Sequence, residues 1–448
     1  MRKIEKVKYL IIGNSAGGIG AVETIREVDK TGTIAILSDE SYPAYSRPMI
    51  SKYLSERCSL QRMLFRPTDF YEKNDIRLIL NQKVIELNLD ECTAKLSNDK
   101  KITWGKLLLA TGGSPIMPEI DGSNMKGVFT FTKLDDAMAI DQLLNQFQRN
   151  VRAVVIGGGL IGLSVTEALV KRGVEATIVE MKNRILSTIL DEEASSLVEA
   201  TLKESGVKII TGNTVSKINS YSYNAVTGVT LGDGRSVPCE MVIMAIGISP
   251  RTELVSGNLV NVNHGLVVNQ YMNTSNPNVY ACGDVVESYD FIYDENRLNP
   301  IWLNAYMGGR IAGSNMAGIS IEYQGVTSMN SLNYFGLDIV SAGITNPPDD
   351  KYEVISQKHG NVYKKVFLKE GLIKGLIFSG DIEKSGIIYN LMRNKINVDA
   401  FKHVLVADEF GLISIPKQIR QPQLAIHNPS LISPATPVNQ AEEVLVGE

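Results

Sequence analysis

Two glycine-rich segments have residue types and spacing suited to a phosphate-bearing ligand. Gly157, Gly159 and Gly162 show the full G-x-G-x-x-G spacing, and Ile161 lies within the same turn. A pyrophosphate needs a turn that lets backbone amides approach and a helix whose positive amino-terminal end faces the anion. Glu180 follows at the distance where a carboxylate can accept hydrogen bonds from both ribose hydroxyls. These residues predict a dinucleotide site, with a purely structural glycine turn as the alternative.

The other segment, near the amino terminus, departs from this spacing. Serine stands where the second glycine is expected, but it is small enough to let the phosphates approach. We expect ligand contacts from Gly13, Ser15, Ala16, Gly17 and Gly18. Asp39 or Glu40, after the next apolar run, would then hold the ribose, although either could be a solvated strand end.

The choice between NAD and NADP depends on the charge around Glu180. A carboxylate at this position repels the 2′-phosphate of NADP and so favours NAD. Lys182 and Arg184 are close enough in the sequence to leave NADP open. We therefore expect NAD(P)H as a cofactor, with NADH favoured.

Each glycine-rich segment needs a strand before it and a helix after it. For the first segment the apolar pattern predicts a strand, a helix and a strand at 8–12, 19–28 and 33–37. For the second segment the same unit recurs at 153–156, 163–171 and 176–179. Closing strands are predicted at 107–113 and at 242–247, where the second ends with Gly247, which we expect to orient NAD(P)H together with Gly157. A further strand places Asp284 where an open α/β sheet presents its ligand edge.

This order of elements predicts an α/β chain with two nested Rossmann-like dinucleotide-binding domains and a small α+β carboxy-terminal domain. The first domain is expected at 1–115 and again at 250–325, with the second domain inserted at 116–249. The third domain is expected at 326–415. The remainder, 416–448, is rich in proline and is expected to form an extended or partly disordered tail.

The composition argues against several classes of protein. The 448 residues include 45 basic and 49 acidic side chains, and a formal charge of −4 disfavours a nucleic-acid partner. Glycines and charged residues interrupt the apolar stretch 151–170, so we expect no membrane span. The first residues lack a signal-peptide pattern, which favours a cytoplasmic protein. The four cysteines lie too far apart to predict a disulfide framework or a metal site.

Taken in order, these motifs resemble those of the FAD-dependent pyridine nucleotide-disulfide oxidoreductase superfamily. The resemblance covers nearly the whole chain and includes the runs Leu-Leu-Ala-Thr-Gly-Gly at 108–113 and Tyr-Ala-Cys-Gly-Asp at 280–284. It implies that the first glycine-rich segment binds FAD and the second binds NAD(P)H. It also implies that Asp284 holds the flavin ribitol, that the chain passes the cofactor at Thr111 and Gly112, and that Val84 lies beside the adenine.

The run Tyr45-Ser46-Arg47-Pro48-Met49-Ile50-Ser51-Lys52 narrows the resemblance. It is similar to the Y-x-R-P-x-x-S-K segment of ferredoxin and rubredoxin reductases and of the flavin part of NADH-dependent nitrite reductases. The likeness implies that Arg47 and Lys52 contact the flavin, where fixed cations make it easier for the ring to accept a hydride. Lys52 is therefore a candidate catalytic residue, with an exposed helix lysine as the alternative.

The run Trp302-Leu303-Asn304-Ala305 and the following Gly309 to Gly313 resemble a W-x-N-A…G-x-x-A-G stretch that lies along the flavin in the same reductases. The likeness makes Trp302 the second candidate catalytic residue, because its ring can pack beside the flavin and the nicotinamide. It makes Asn304 a cofactor contact. Packing in the protein core is the alternative for Trp302.

The chain departs from the superfamily in its thiols and in one charge. Disulfide reductases carry a cysteine pair, and NADH oxidases one cysteine, in a region that corresponds to residues 41–57, which contain none. We therefore expect structural roles for Cys58, Cys92, Cys239 and Cys282 and no thiol intermediate. Many relatives pair the flavin lysine with a glutamate where this chain has Ser164. Glu167 could substitute for it, with a surface or helix-capping role as the alternative.

The resemblance implies an FAD-dependent NAD(P)H:acceptor oxidoreductase that uses no metal. NADH would pass electrons through the flavin to a small carrier protein of the rubredoxin or ferredoxin kind, or to a small-molecule acceptor. Two alternatives remain open, namely an electron-relay subunit of a larger complex without its own turnover, and an NADH oxidase. The oligomeric state is also left open.

Overall fold

A computed structural model describes residues 5–147, 151–220, 225–255 and 259–425. The elements up to residue 115 are β1 (Glu5–Ile12), α1 (Ala16–Val28), β2 (Ile34–Leu37), α2 (Ile50–Leu54), α3 (Leu60–Met63), α4 (Phe70–Lys73), β3 (Ile76–Ile79), β4 (Val84–Asn88), β5 (Thr93–Leu96), β6 (Lys101–Leu109) and β7 (Gly113–Pro115). Those of the next part are β8 (Val128–Thr130), α5 (Leu134–Leu144), β9 (Arg152–Ile156), α6 (Leu160–Lys171), β10 (Glu175–Val179), α7 (Glu192–Glu204), β11 (Lys208–Ile210), β12 (Val215–Asn219), β13 (Gly228–Leu231), β14 (Ser236–Pro238), β15 (Met241–Met244) and β16 (Ile248–Pro250).

The chain continues with β17 (Leu266–Val267), β18 (Val279–Ala281), β19 (Val286–Asp290), β20 (Glu295–Leu298) and α8 (Trp302–Met316). The last part contains β21 (Met329–Tyr334), β22 (Leu337–Gly343), β23 (Glu353–His359), β24 (Val362–Lys369), β25 (Leu372–Ser379), α9 (Ser385–Arg393) and α10 (Lys417–Ala425). Short 3-10 turns occur at Arg47–Met49, Glu253–Val255, Lys402–Val404 and Leu412–Ser414. Among the described residues, none of the helices combines the length and the apolar character needed to cross a membrane.

The first sheet has the order β3-β2-β1-β6-β5-β4, and β18 also pairs with β6. The pairs β3-β2, β2-β1, β1-β6 and β6-β18 are parallel, and the two pairs among β4, β5 and β6 are antiparallel. Because β18 follows long after β6 in the chain, the strands of the second sheet are inserted in the sequence before the first sheet is complete. Leu10 and Ile11 of β1, whose side chains project from opposite faces of the sheet, are both fully buried, so both faces of the sheet are covered.

The second sheet repeats this arrangement in the order β11-β10-β9-β15-β8, with every pair parallel. Its central strands are continuous apolar runs, as expected when helices or sheets cover both faces. The antiparallel pair β7-β16 joins the chain where it leaves the first sheet to where it returns. This pair brings the two dinucleotide folds side by side.

The carboxy-terminal sheet has the order β21-β22-β25-β24-β23 and is antiparallel throughout. Helix α9 packs its apolar face, which includes Ile388 and Leu391, into the same core as Leu376 and Phe378 of β25. The predicted α/β fold with two nested dinucleotide units and a small α+β part is therefore confirmed.

Several local expectations differ from the structure. The closing strands end at Leu109 and Met244 instead of at 113 and 247. The helices after the glycine-rich segments begin at Ala16 and Leu160, three residues earlier than predicted, because the last glycines belong to the first helical turns. Residues 417–425 form α10 instead of extended chain. The rest of the expected tail, 426–448, lies outside the described residues.

Candidate functional site

A cavity of about 470 Å³ opens at the carboxyl ends of the parallel strands in the first sheet. Ile12 lies in register with Leu37 and with Leu109, and Leu109 lies in register with Ala281. The residues that follow these strands share one edge of the sheet and line the cavity: Gly13, Ser38, Ala110, Thr111, Gly112, Cys282, Gly283 and Asp284. This edge is where open α/β sheets bind their ligands.

The cavity brings together many, but not all, of the residues that the sequence singled out. Those that line it are Gly13, Ser15, Ala16, Gly17, Asp39, Glu40, Arg47, Thr111, Gly112, Ile161, Asp284 and Trp302. Those that do not are Gly18, Lys52, Val84, Asn304, Gly157, Gly159, Gly162, Glu180 and Gly247. Lys52 is exposed on α2, and Val84 is buried in the core of the first sheet. Their proposed flavin and adenine contacts therefore stay predictions.

The first glycine turn is shaped by close backbone contacts. Gly13 has a φ of +124°, a value that side chains other than glycine rarely adopt. A methyl group at Gly18 would lie 2.0 Å from the carbonyl oxygen of Gly13. Because α1 begins at Ala16, the first-turn N–H groups have no partner within the helix, and Ala16 and Gly17 of this turn line the cavity. The turn therefore has the geometry that a pyrophosphate requires.

Buried polar groups and one aromatic ring near the cavity suit the parts of a flavin dinucleotide other than its pyrophosphate. Asp284 faces the cavity, and burial raises the pKa of its carboxyl group, while nearby Arg47 acts in the opposite direction. The side-chain amide nitrogen of Asn304 is buried and has no hydrogen-bond partner among the described residues. Trp302 lines the cavity with its ring held edge-to-face by Phe65, at a centroid distance of 5.2 Å. Asp284 and Trp302, which line the cavity, fit FAD in polarity and aromatic character.

The two carboxylates expected near the ribose differ in their surroundings. Asp39 is exposed and lies 3.4 Å from a guanidinium nitrogen of Arg251. Glu40 is buried and forms an ion pair with Arg47, and it accepts a hydrogen bond from the Tyr45 hydroxyl at 2.6 Å. Of these two side chains, Asp39 is therefore the one whose carboxylate is less engaged by the protein.

The second glycine turn repeats the geometry of the first. Gly157 has a φ of +108°, and a methyl group at Gly162 would lie 2.0 Å from the carbonyl oxygen of Gly157. A methyl group at Gly159 would have nothing within 4 Å. The packing of the chain therefore does not require glycine at 159, but a ligand that approached the turn closely would.

The surroundings of Glu180 bear on the choice of dinucleotide. Its carboxylate accepts hydrogen bonds from the backbone N–H of Gly158 at 2.6 Å and of Lys182 at 2.8 Å. Arg184 donates to the side-chain oxygen of Asn346 at 2.9 Å. Because Arg184 is directed at the carboxy-terminal part, the exposed Lys182 is the remaining one of the two cations that the sequence offered for a 2′-phosphate.

The start of α6 reaches the first cavity. Leu160, Ile161 and Ser164 line it together with Asn330 and Leu332 of β21. A dinucleotide on the second glycine turn can therefore extend to the same space as a flavin on the first. The sequence alone did not indicate that residues of the carboxy-terminal sheet form one wall of this space.

Glu167 does not replace the glutamate that many relatives have at the position of Ser164. It forms an ion pair with Lys171 at 2.5 Å and accepts a hydrogen bond from the backbone N–H of Phe335 at 3.0 Å. Both contacts direct it away from the cavity, which corrects the idea that it could pair with Lys52. Ser164 instead lies within hydrogen-bond reach of Tyr334, whose burial raises its pKa to about 12.

Sequence reasoning also missed Arg251, which lines the cavity. Its Nε donates to the Ser114 hydroxyl at 2.8 Å, and its backbone oxygen accepts from the Thr111 hydroxyl at 3.0 Å. The only signal was its position four residues after Gly247, at the end of the second closing strand. The pairing of β7 with β16 then carries Arg251 across to the first sheet.

The two buried cysteines are poor candidates for a reactive thiolate. Cys282 lines the cavity but is buried, and burial together with the charge of Asp284 raises its pKa to about 12. Burial also raises the pKa of Cys239 to about 12, within the core of the second sheet. A thiol at either position is protonated near neutral pH, and a protonated thiol is a poor nucleophile.

Two dinucleotide folds, of which the first lines the cavity with its glycine turn and the second reaches it with the start of α6, define a flavin- and nicotinamide-dependent oxidoreductase. Residues 7–309 match the family described as pyridine nucleotide-disulphide oxidoreductase, and residues 329–396 match the rubredoxin NAD+ reductase C-terminal domain. The chain belongs to this pyridine nucleotide-disulphide oxidoreductase family, which uses FAD and NAD(P)H. The expected family and cofactors are thereby confirmed.

Similarity to proteins of known activity extends over most of the length of this chain. The NADH-dependent phenylglyoxylate dehydrogenase subunit epsilon of Aromatoleum evansii is 29% identical, over 92% of this chain and 97% of that protein. The NADH-rubredoxin oxidoreductase of Clostridium acetobutylicum is 26% identical, over 85% of this chain and 92% of that protein. The chain spans about half the length of two further relatives, both from Bacillus subtilis.

The fold is also that of a solved structure, the covalent putidaredoxin reductase-putidaredoxin complex. The similarity has a TM-score of 0.81 and covers 90% of this chain and 96% of that chain. Because the sequences are only 23% identical, this likeness supports the fold alone.

Proposed function

We propose that this chain is an NADH-dependent flavoprotein reductase that delivers electrons to a small carrier protein of the rubredoxin or ferredoxin kind. The observation that carries the proposal is the single cavity lined by the first glycine turn, the start of α6 and strand β21. The name of the Clostridium acetobutylicum relative and the match of residues 329–396 support the choice of a rubredoxin-like acceptor.

In this proposal the residues of the chain bind, orient and shield the cofactors. Residues 1–115 and 250–325 would hold FAD, with the pyrophosphate on the first glycine turn and the ribitol at Asp284. Residues 116–249 would hold NADH, with Glu180 at the adenosine ribose. When bound, FAD supplies a ring that accepts a hydride and can release electrons one at a time. Trp302, together with the wall formed by β21, would exclude water from the place where the two rings meet.

The expected independence from thiol chemistry makes the proposal testable. The variant with both Cys58→Ser and Cys282→Ser should retain most of its NADH-dependent reduction of rubredoxin, because no step requires sulfur. An NADH titration should consume one equivalent per FAD. Loss of turnover in a variant that still binds FAD, or consumption of two equivalents, would contradict the proposal. Cys92→Ser is the control for a general effect of losing a thiol, because Cys92 does not line the cavity.

A second candidate function is an electron-relay subunit of a larger complex. The name of the Aromatoleum evansii relative, a dehydrogenase subunit, favours it. The two candidates differ in what the isolated chain can do. A relay subunit would be reduced by NADH but would not turn over with rubredoxin or ferredoxin, and in cell extracts it would migrate with larger partners. An NADH oxidase would instead consume oxygen at the same rate with or without a carrier.

A further inference from the structure

Glu40 lies at the edge of the flavin cavity, but its carboxylate is engaged by the protein. The residue is 9% exposed, one carboxylate oxygen accepts a hydrogen bond from the Tyr45 hydroxyl at 2.6 Å, and the other forms the ion pair with Arg47. A ribose hydroxyl at Glu40 would have to compete with these two short contacts. We propose that Glu40 is a positioning residue that holds the Arg47 guanidinium in the flavin cavity, and that Asp39 takes the ribose. This inference rests on the proposed binding of FAD in this cavity.

The opposite side of Arg47 is held by the second dinucleotide unit. Its Nη1 donates to the backbone oxygen of Thr132 at 3.1 Å, and the Tyr45 hydroxyl accepts from the backbone N–H of Leu134 at 2.9 Å. Asp136 fixes this segment by accepting from the backbone N–H of Thr132 at 2.7 Å. The guanidinium is therefore held between a carboxylate that follows β2 and a carbonyl that follows β8.

The register of the two sheets places the ribose acid elsewhere. In the second unit, the N–H of Gly157 donates to the carbonyl oxygen of Val179, the last residue of β10, and Glu180 follows directly. In the first unit, the N–H of Gly13 donates to the carbonyl oxygen of Leu37, the last residue of β2, and Ser38 follows directly. The position equivalent to Glu180 is thus a serine in the first unit.

Asp39 is the adjacent residue, and its carboxylate is less engaged by the protein than that of Glu40. It is exposed, it lines the cavity, and its partner Arg251 lies at 3.4 Å. The bond from Tyr45 to Glu40 also has a fixed direction. Burial raises the pKa of Tyr45, so the hydroxyl stays protonated and donates to the carboxylate. Glu40, Tyr45 and Arg47 therefore form one ordered unit, in which Glu40 and Arg47 line the cavity and the guanidinium is held between Glu40 and the backbone oxygen of Thr132.

A residue that acts through Arg47 must be energetically coupled to it, whereas a direct ribose ligand need not be. We would measure FAD binding to the FAD-depleted full-length chain for Glu40→Gln, Arg47→Ala and the double variant. Glu40→Gln should weaken FAD binding about tenfold when Arg47 is present and less than about twofold when it is absent. The matched cycle with Asp39→Asn and Arg47→Ala should be additive. Equal effects of Glu40→Gln in both backgrounds would overturn the inference.

Binding of ADP provides a second readout, because ADP carries the adenosine ribose and the pyrophosphate but no flavin. Asp39→Asn should weaken ADP binding, and Glu40→Gln should leave it within about twofold. A loss of ADP binding in Glu40→Gln that matched its loss of FAD binding would overturn the inference. Tyr45→Phe should behave like a weaker Glu40→Gln in both assays, so it serves if Glu40→Gln does not fold. Wild-type chain that bound ADP but not FAD would instead overturn the proposed function.

Discussion

The two glycine turns have the same backbone geometry, but the acidic residues that follow the next strand make different contacts in the two units. In both, the glycine that opens the turn has a positive φ, and a methyl group on the last glycine would lie 2.0 Å from the carbonyl oxygen of the first. In the second unit the acid, Glu180, caps its own turn through the N–H of Gly158. In the first unit Asp39 and Glu40 face arginines instead.

This difference separates two requirements of a nucleotide site. The glycines allow the close backbone contacts within each turn, and these contacts are the same in the first unit and in the second. The partners of the acids depend on how the rest of the chain packs around each turn, and this packing differs between the two units. The first turn lines the cavity together with residues that follow β6 and β18 and with Trp302 and Ala305 of α8, whereas the second unit reaches the cavity at the start of α6.

The largest effects should come from replacing the last glycine of each turn by alanine. Gly18→Ala and Gly162→Ala each place a methyl group 2.0 Å from a backbone oxygen, which should cost on the order of 3 kcal/mol of folding free energy. Gly18→Ala should lose bound flavin, whereas Gly162→Ala should keep the flavin and lose its reduction by NADH. Visible absorbance and thermal unfolding measure both. Equal loss of flavin in the two variants would show that the turns do not have separate ligands.

Removing the buried carboxylate of the first unit should have the next largest effect. Asp284→Ala should weaken FAD binding by roughly tenfold to a hundredfold, because a hydrogen bond to a charged group contributes about 1.5–3 kcal/mol. Binding of NADH to the second unit should change little. Fluorescence titrations with FAD measure the first effect, and Gly162→Ala serves as the reciprocal control. Unchanged FAD affinity would remove Asp284 from the flavin site.

Two cations from the same sequence motif can be ranked by their positions. Arg47 lines the cavity and Lys52 is exposed outside it. Arg47→Ala should slow flavin reduction by one to two orders of magnitude, which corresponds to about 1.4–3 kcal/mol. Lys52→Ala should slow it by less than about threefold. Stopped-flow measurements decide the ranking, and a larger effect of Lys52→Ala would support the catalytic role that the sequence motif suggests.

The nicotinamide preference tests the acid of the second unit. NADH should reduce the flavin at least about tenfold faster than NADPH, because a 2′-phosphate at Glu180 meets a carboxylate, and Arg184 is directed elsewhere. Glu180→Gln should narrow this preference by raising the rate with NADPH. Stopped-flow rates with both donors measure it. A preference of the wild-type chain for NADPH would contradict the assignment.

The smallest effects should come from exchanging the residues at the middle of the turns. Gly159→Ala should leave the free energy of unfolding within about 0.5 kcal/mol, because its methyl group meets no atom within 4 Å. It should nevertheless raise the KM for NADH. Ser15→Gly should change stability by only a few tenths of a kcal/mol, because Ser15 makes no side-chain hydrogen bond to cap α1. A large loss of stability in either variant would show that packing, and not ligand approach, selects these residues.

Local spacing made much of this protein predictable from its sequence. Apolar runs of four or more residues that end in glycine predict buried parallel strands, and the two strand–turn–helix units were located to within about three residues. The order of the motifs was enough to predict both dinucleotide folds and the resemblance to flavoprotein reductases. The sequence also shows directly that residues 41–57 contain no cysteine. Turn geometry is set by neighbours in the chain, so the sequence encodes it directly.

The tertiary structure decided how the charged side chains are used. Glu167 joins Phe335, Arg251 reaches Asp39, and Arg184 turns to Asn346, in each case across more than 150 residues of chain. Such pairs depend on which surfaces pack together and on how far water is excluded from them, and no local pattern records either. The sequence by itself determined that the chain has two dinucleotide folds, and the packing of three sheets decided which side chains face the cavity between them.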